Sequence, residues 1–148
     1  MPKPSSTVVL AWSRLVRAHG AALGHVERAL KDAGLPPLEW YDVLLELERA
    51  GPLRPRDLQG RLLLAQYNLS RLLDRMAAAG IVGKQPCAED GRGHVVAITE
   101  EGRALRLRMW PVYARSIEGA VGERLSEQEA ETLASILAKL TPGASQPG

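Results

Sequence analysis

Between Leu58 and Gly102 the apolar residues change from a helical to a strand-like spacing, in an order that few folds accommodate. Pro55 suits a first helical position and Asp57 is favoured by the positive end of a helix dipole, so a short helix is expected from about Pro55 to Leu62. Leu58 and Leu62, four apart, would share its buried face. A second helix is expected after a short turn. In it Leu69, Leu72, Leu73 and Met76 recur at i, i+3, i+4 and i+7, which turns Tyr67, Ser70, Arg71 and Asp74 to the opposite, polar face. Gly80 suits the stop of this helix, and Ile81-Val82 opens an extended run. Glu89-Asp90-Gly91-Arg92-Gly93 is a turn signal between Val82–Pro86 and His94–Ile98, predicting a hairpin with Arg92 near its tip.

Helix, short turn, helix and charged hairpin is the order of a winged helix-turn-helix, an arrangement that reads DNA. Outside it the pattern is one of longer helices. From about Ser6 to Asp32 a stripe of Val8, Trp12, Leu15, His19, Ala22, Val26 and Leu30 recurs at three-four spacing. Gly34-Leu35-Pro36-Pro37 breaks the chain, and a helix from Leu38 to about Arg49 carries Tyr41, Leu44, Leu45 and Leu47 before Gly51-Pro52. Thr99 can cap a further helix with Glu100 and Glu101 in its first turn and Leu105, Met109, Val112, Tyr113 and Ile117 along it, bent at Pro111. Ser126 and Glu129 form a capping-box pair ahead of Leu133, Ile136, Leu137 and Leu140, and Thr141 to Gly148 is expected to be a loose tail. The fold class expected is therefore mainly α with a small β-hairpin wing, a winged helix-turn-helix over residues 34–98 between long terminal helices at 1–33 and 99–148. Those flanking segments carry apolar faces that a small reader domain cannot cover alone, so they are expected to pack across a two-fold axis as a homodimer.

The sequence resembles the MarR family of bacterial transcription regulators. The resemblance is carried by Leu58, Leu62, the run Leu69-Ser70-Arg71-Leu72-Leu73-Asp74-Arg75-Met76, Gly80-Ile81-Val82, Asp90-Gly91-Arg92 and Ile98-Thr99-Glu100-Glu101-Gly102, the last two at the spacing of the family's Asp-x-Arg wing and Leu-Thr-x-x-Gly exit. Pro37 to Leu44 looks like the family's second helix, and Leu125-Ser126-Glu127-Gln128-Glu129 like the start of its last. Two residues depart from the pattern: Arg54 and Ala65 stand where the family often places a Ser or Thr helix cap. The resemblance implies intertwined terminal helices and two readers that meet successive major grooves of a pseudo-palindromic site, with repression as the commoner outcome.

Length and charge fit this reading. A chain of 148 residues suits one domain, or a compact core with an added arm, and its formal charge of +2 sets up no global basic field. The local distribution is more telling: Arg54, Arg56, Arg61, Arg71, Arg75, Lys84 and Arg92 oppose only Asp57, Asp74, Glu89 and Asp90, whereas 39–48 and 118–131 are predominantly acidic. One cysteine excludes an intramolecular disulfide framework, no apolar run approaches the ~20 residues that cross a membrane, and the N-terminus lacks a secretory pattern. The location expected is cytoplasmic, with no membrane partner.

Within the reader, Gln66 and Asn68 suit bidentate contact with adenine, with support of the helix start as the alternative for Gln66, Arg71 suits guanine, and Tyr67 suits phosphate or a thymine methyl. Ser70 shares their face. Arg92 suits a narrow minor groove or phosphate, Asp90 and Gly91 shape its loop, and Arg75, Arg61, Arg56 and Lys84 are candidates for phosphate contacts. Family members often respond to small aromatic acids held between the dimer helices and the reader. Trp12, His19, Trp40, Tyr41, Trp110 and Tyr113 belong to those segments and read either as a pocket for a small aromatic or anionic ligand or as ordinary core filler in a chain without Phe.

Cys87 stands in the strand leading into the wing, where a thiol is either structural or, beside Lys84 and Arg92, redox-active. His19, His25, His94 and Cys87 form no i, i+3 or i+4 ligand pair, so neither a metal nor another cofactor is expected. No Gly-rich phosphate loop, nucleophile elbow or locally paired histidine argues for an enzyme. The competing class is a winged helix whose exposed face binds protein instead of duplex DNA.

Overall fold

The computed structural model describes residues 1–87 and 93–141. These contain α1 (Ser6–Asp32), α2 (Leu38–Ala50), α3 (Pro55–Gln59), α4 (Leu69–Ala78), β1 (Val82–Pro86), β2 (His94–Ile98), α5 (Glu100–Ile117), a π-helical turn at Glu118–Gly122, and α6 (Glu127–Leu140). Residues 88–92, and with them the expected wing residues Asp90, Gly91 and Arg92, lie outside the described residues, as do 142–148. The chain divides into two compact units, Met1–Val26 with Ala114–Gly148, and Glu27–Tyr113.

The second unit holds the winged helix. Its core consists of Leu30, Val43, Leu44, Leu47, Leu58, Leu72, Leu73, Met76, Val96 and Met109, all sealed from solvent. The periodic set Leu69, Leu72, Leu73 and Met76 is the buried face of α4, as its spacing predicts. Gly80 ends that helix at a φ of +78°, which glycine adopts without the Cβ penalty of other residues. Its N–H bonds the Ala77 carbonyl, and the Ile81 N–H reaches back to Met76, so both closing carbonyls are satisfied as the chain turns into β1.

The two strands pair antiparallel from Val82 opposite Ile98 to Pro86 opposite His94. Leu53 adds one bridge to the outer side of this pair, exchanging both backbone hydrogen bonds with Val96 at 3.0 and 2.7 Å. The wing is thereby stitched to the segment that joins α2 to α3.

The start of α5 explains the exit motif. Thr99 Oγ1 donates to the Gly80 carbonyl at 2.7 Å and accepts the Gly102 N–H at 3.1 Å, so one hydroxyl caps α5 and ties it to the end of α4. Gly102 lies so close to β1 that a Cβ there would stand 2.2 Å from the Ile81 carbonyl oxygen. Pro111 sits inside α5 and the helix continues through it to Ile117.

Two boundaries differ from the sequence expectation. Helix α3 stops at Gln59, leaving Leu62 half-buried in a longer linker over residues 60–68. Helix α4 begins not near Ala65 but at Leu69, capped by Asn68, whose Oδ1 accepts the Arg71 N–H at 3.4 Å. Ala65 has no side-chain acceptor for free helix N–H groups, and the next competent cap lies at Asn68. Arg54, at the start of α3, makes no side-chain cap, and Pro55 removes one of the N–H groups that would need it.

The first unit exposes large apolar residues on two of its helices. Along α1, Val8, Val9, Leu10, Trp12 and Val16 are exposed, and His19 with them, while in the second unit Leu30 at the end of the same stripe is fully buried. Leu133, Ile136 and Leu140 of α6 are exposed as well. The Ser126–Glu129 capping box forms reciprocally, with bonds of 3.0 and 3.1 Å.

Candidate nucleic-acid interface

The outward face of α4 and the residues leading into it form the candidate site. Because the apolar residues of α4 seal its inner side, Ser70, Arg71, Asp74 and Arg75 have no choice but to face solvent. Tyr67, just ahead of the cap, is fully exposed at 106%, an unusual position for a large aromatic side chain. Gln66 is half-buried, and its carbonyl accepts a 2.9 Å bond from Gln59 Nε2.

The structure separates roles that share one stretch of sequence. Asn68 gives its Oδ1 to the helix cap, so a bidentate grip on adenine, which needs that oxygen as an acceptor, competes with the fold. Asn68→Ala is expected to lower stability by about 1 kcal/mol and Asn68→Asp to retain it; thermal melting of both variants checks this, and equal melting of Ala and wild type would show that the cap carries no weight. Arg71 donates only its backbone N–H to that cap, which leaves the guanidinium outward.

Two of the expected phosphate contacts are paired with acids. Arg75 Nη2 lies 3.7 Å from Glu39 of α2, and Lys84 of β1 is paired with Asp74 of α4. The Lys84 ammonium holds the Asp74 carboxyl below the usual carboxylate range. This pair joins the reader helix to the first wing strand. Arg56 and Arg61 are exposed.

Behind the reader lies a group the sequence pattern did not single out. Asp42 of α2 is buried at 7% exposure, and its two carboxylate oxygens accept the backbone N–H groups of Leu63 at 3.0 Å and Leu64 at 2.8 Å. Burial pushes its pKa up, and those two bonds oppose the shift. The available signal was its position four residues after Leu38, on the face that α2 buries.

Of the aromatic residues considered as a ligand pocket, Tyr41, Trp110 and Tyr113 come together in the second unit. Tyr41 stacks on Trp110 at 6.1 Å and meets Tyr113 edge-on at 5.0 Å. Arg106 lies over the Tyr41 ring, donates to its hydroxyl at 3.3 Å, and pairs with Glu48. Burial pushes the Tyr113 phenol up, with Asp42 and Tyr41 adding to the effect. Trp40 is half-buried in α2, and Trp12 and His19 belong to the first unit. Cys87 is buried and accepts a 3.3 Å bond from Arg54 Nη2. No helix among the described residues is long and apolar enough to cross a membrane.

Comparison with known proteins places this geometry. The MarR family profile matches residues 33–93. An uncharacterized HTH-type transcriptional regulator of Bacillus cereus is 25% identical over 131 residues, which cover 88% of this chain and 86% of that protein. Sco3205 of Streptomyces coelicolor, a MarR family transcriptional regulator solved in complex with DNA, is 26% identical and superposes with a TM-score of 0.86 over 100% of this chain and 94% of its own. BpsR of Bordetella bronchiseptica, whose DNA binding is regulated by 6-hydroxynicotinic acid, shares the fold at 20% identity, with a TM-score of 0.83 over 96% of this chain and 100% of its own. The likeness runs through the reader and both flanking segments: this chain has the winged helix-turn-helix fold of MarR family transcriptional regulators, and the family profile matches it across the reader.

Proposed function

We propose that the chain is a homodimeric, sequence-specific DNA-binding repressor, acting in the cytoplasm and released from a pseudo-palindromic operator by a small aromatic or anionic molecule. The observation that carries the reading is the outward face of α4, where Ser70 and Arg71 project from a helix whose other face is locked into the core, with Tyr67 exposed just ahead of its cap. That is the arrangement by which a recognition helix offers its N-terminal residues to a major groove. In this reading residues 34–98 are the reader, with Asp90, Gly91 and Arg92 as the wing tip on the minor groove, and 1–33 with 99–148 form the dimerisation region. The exposed apolar residues of α1 and α6 supply surface for a second copy. The DNA complex of Sco3205 supports the duplex as partner, and the regulation of BpsR by 6-hydroxynicotinic acid supports an effector of that chemistry.

The test begins with a duplex enriched from a randomised pool by the full-length protein, bound at two chains per duplex. Arg71→Ala is expected to cost roughly 1–3 kcal/mol on that duplex and much less on random DNA, because a guanidinium on a guanine edge reads bases while phosphate contacts do not. Arg92→Ala is expected to weaken both duplexes about evenly. Equal losses on both duplexes for Arg71→Ala, or a pool from which nothing is enriched, would contradict the assignment.

A further inference from the structure

We infer that Asp42 is a positioning residue for DNA reading: from α2, its carboxylate sets where the reader helix α4 begins by gripping the linker that leads into it. The inference rests on the proposed reading of α4 as the DNA-contacting helix.

The linker over residues 60–68 is neither helix nor strand, so its backbone N–H groups need partners from elsewhere. Three side chains hold it. Gln59 Nε2 donates to the Gln66 carbonyl, Asn68 caps Arg71, and Asp42 takes the N–H groups of Leu63 and Leu64, one on each carboxylate oxygen. The Gln59 and Asn68 bonds are exposed, where water competes for the same groups. The Asp42 carboxylate is sheltered, and a charged acceptor of two adjacent N–H donors forms the stronger kind of hydrogen bond.

Asp42 is also mounted on a helix anchored in the core of the unit, between Tyr41 and Val43, where Val43, Leu44 and Leu47 are sealed from solvent. The grip therefore refers the linker to the core and not to another surface loop. Only Ala65, Gln66 and Tyr67 lie between the anchored Leu64 and the capping Asn68, so there is little slack between the anchor and the first turn that carries Arg71. A carboxylate placed for solubility would be exposed. One placed only to fill the core would leave two oxygens without donors.

Losing the anchor would free the linker and oblige DNA to order it on binding. Contacts to phosphate tolerate a shift of the helix start, whereas a bidentate contact to a base edge does not. The loss should thus fall on the selected duplex more than on random DNA.

The experiment uses full-length Asp42→Ala and Asp42→Asn, with amide hydrogen exchange measured without DNA and affinities measured on the enriched and random duplexes. In Asp42→Ala we expect Leu63 and Leu64 to lose about tenfold or more in protection while Leu72 and Leu73 keep theirs. Affinity for the enriched duplex should fall about tenfold, and for random DNA by less than about twofold. Asp42→Asn, which keeps one acceptor oxygen, should fall between Ala and wild type on both readouts and carries the comparison if the alanine variant does not fold. Unchanged protection at Leu63 and Leu64, or equal losses on both duplexes, would overturn the assignment. Wild-type protein that prefers no duplex would instead sink the DNA reading, a result the exchange measurement keeps separate.

Discussion

Gly102→Ala is expected to destabilise the protein by about 3 kcal/mol and to lower its melting temperature by roughly 10 °C. A Cβ at this position would stand 2.2 Å from the Ile81 carbonyl oxygen, 2.8 Å from Ile98 Cγ1 and 3.2 Å from the Ile81 carbonyl carbon. Two of those atoms are backbone, so no rotamer change relieves the overlap; α5 and β1 must move apart. The Ile81 carbonyl also accepts the Thr99 N–H, and Thr99 Oγ1 holds both Gly80 and Gly102, so separating the two elements strains the whole junction among α4, the hairpin and α5. Because Val82 pairs with Ile98 at the root of the hairpin, the wing should be misdirected along with the loss of stability. Differential scanning calorimetry decides the matter: a variant melting within about 2 °C of wild type would mean that the junction opens at no cost.

Affinity for the enriched duplex is expected to fall by about 10³ to 10⁴ between 50 and 200 mM salt. Arg56 and Arg61 are exposed on each chain, so with Arg92 from each wing the proposed dimer neutralises about six phosphates, and about eight with part of the charge of Arg75 and Lys84. A fourfold change in salt raised to a slope of about −0.9 per phosphate yields that range. Arg75 and Lys84 add less than their charge suggests, because Glu39 and Asp74 already neutralise them. Fluorescence anisotropy titrations across salt measure the slope directly. A loss of less than about tenfold would favour a winged helix that docks on protein, whose affinity owes little to counterion release.

The comparison of sequence with structure divides along the range of the interactions. The buried face of α4, the limits of β1 and β2, the extent of α1 and the Ser126 capping box were legible because each depends on residues within a turn or a strand of one another. The start of α4 was not legible, because Ala65 stands at the family's usual cap position without a capping side chain, and where the helix then begins depends on where the linker is held. That is a tertiary matter, and Asp42 is part of the answer.

By itself, then, the sequence determined the order of the elements, the inward face of the reader helix and the outward set Tyr67, Ser70 and Arg71, since the periods of helix and strand are properties of the local backbone. Tertiary structure decided which charges remain available and what holds the reader in place. Lys84 meets Asp74, Arg75 meets Glu39, Asp42 reaches across 21 and 22 residues to the N–H groups of Leu63 and Leu64, and Gly102 lies against Ile81. Such pairings are set by how elements pack, and side-chain type and spacing along the chain carry no record of which distant backbone group will arrive beside them.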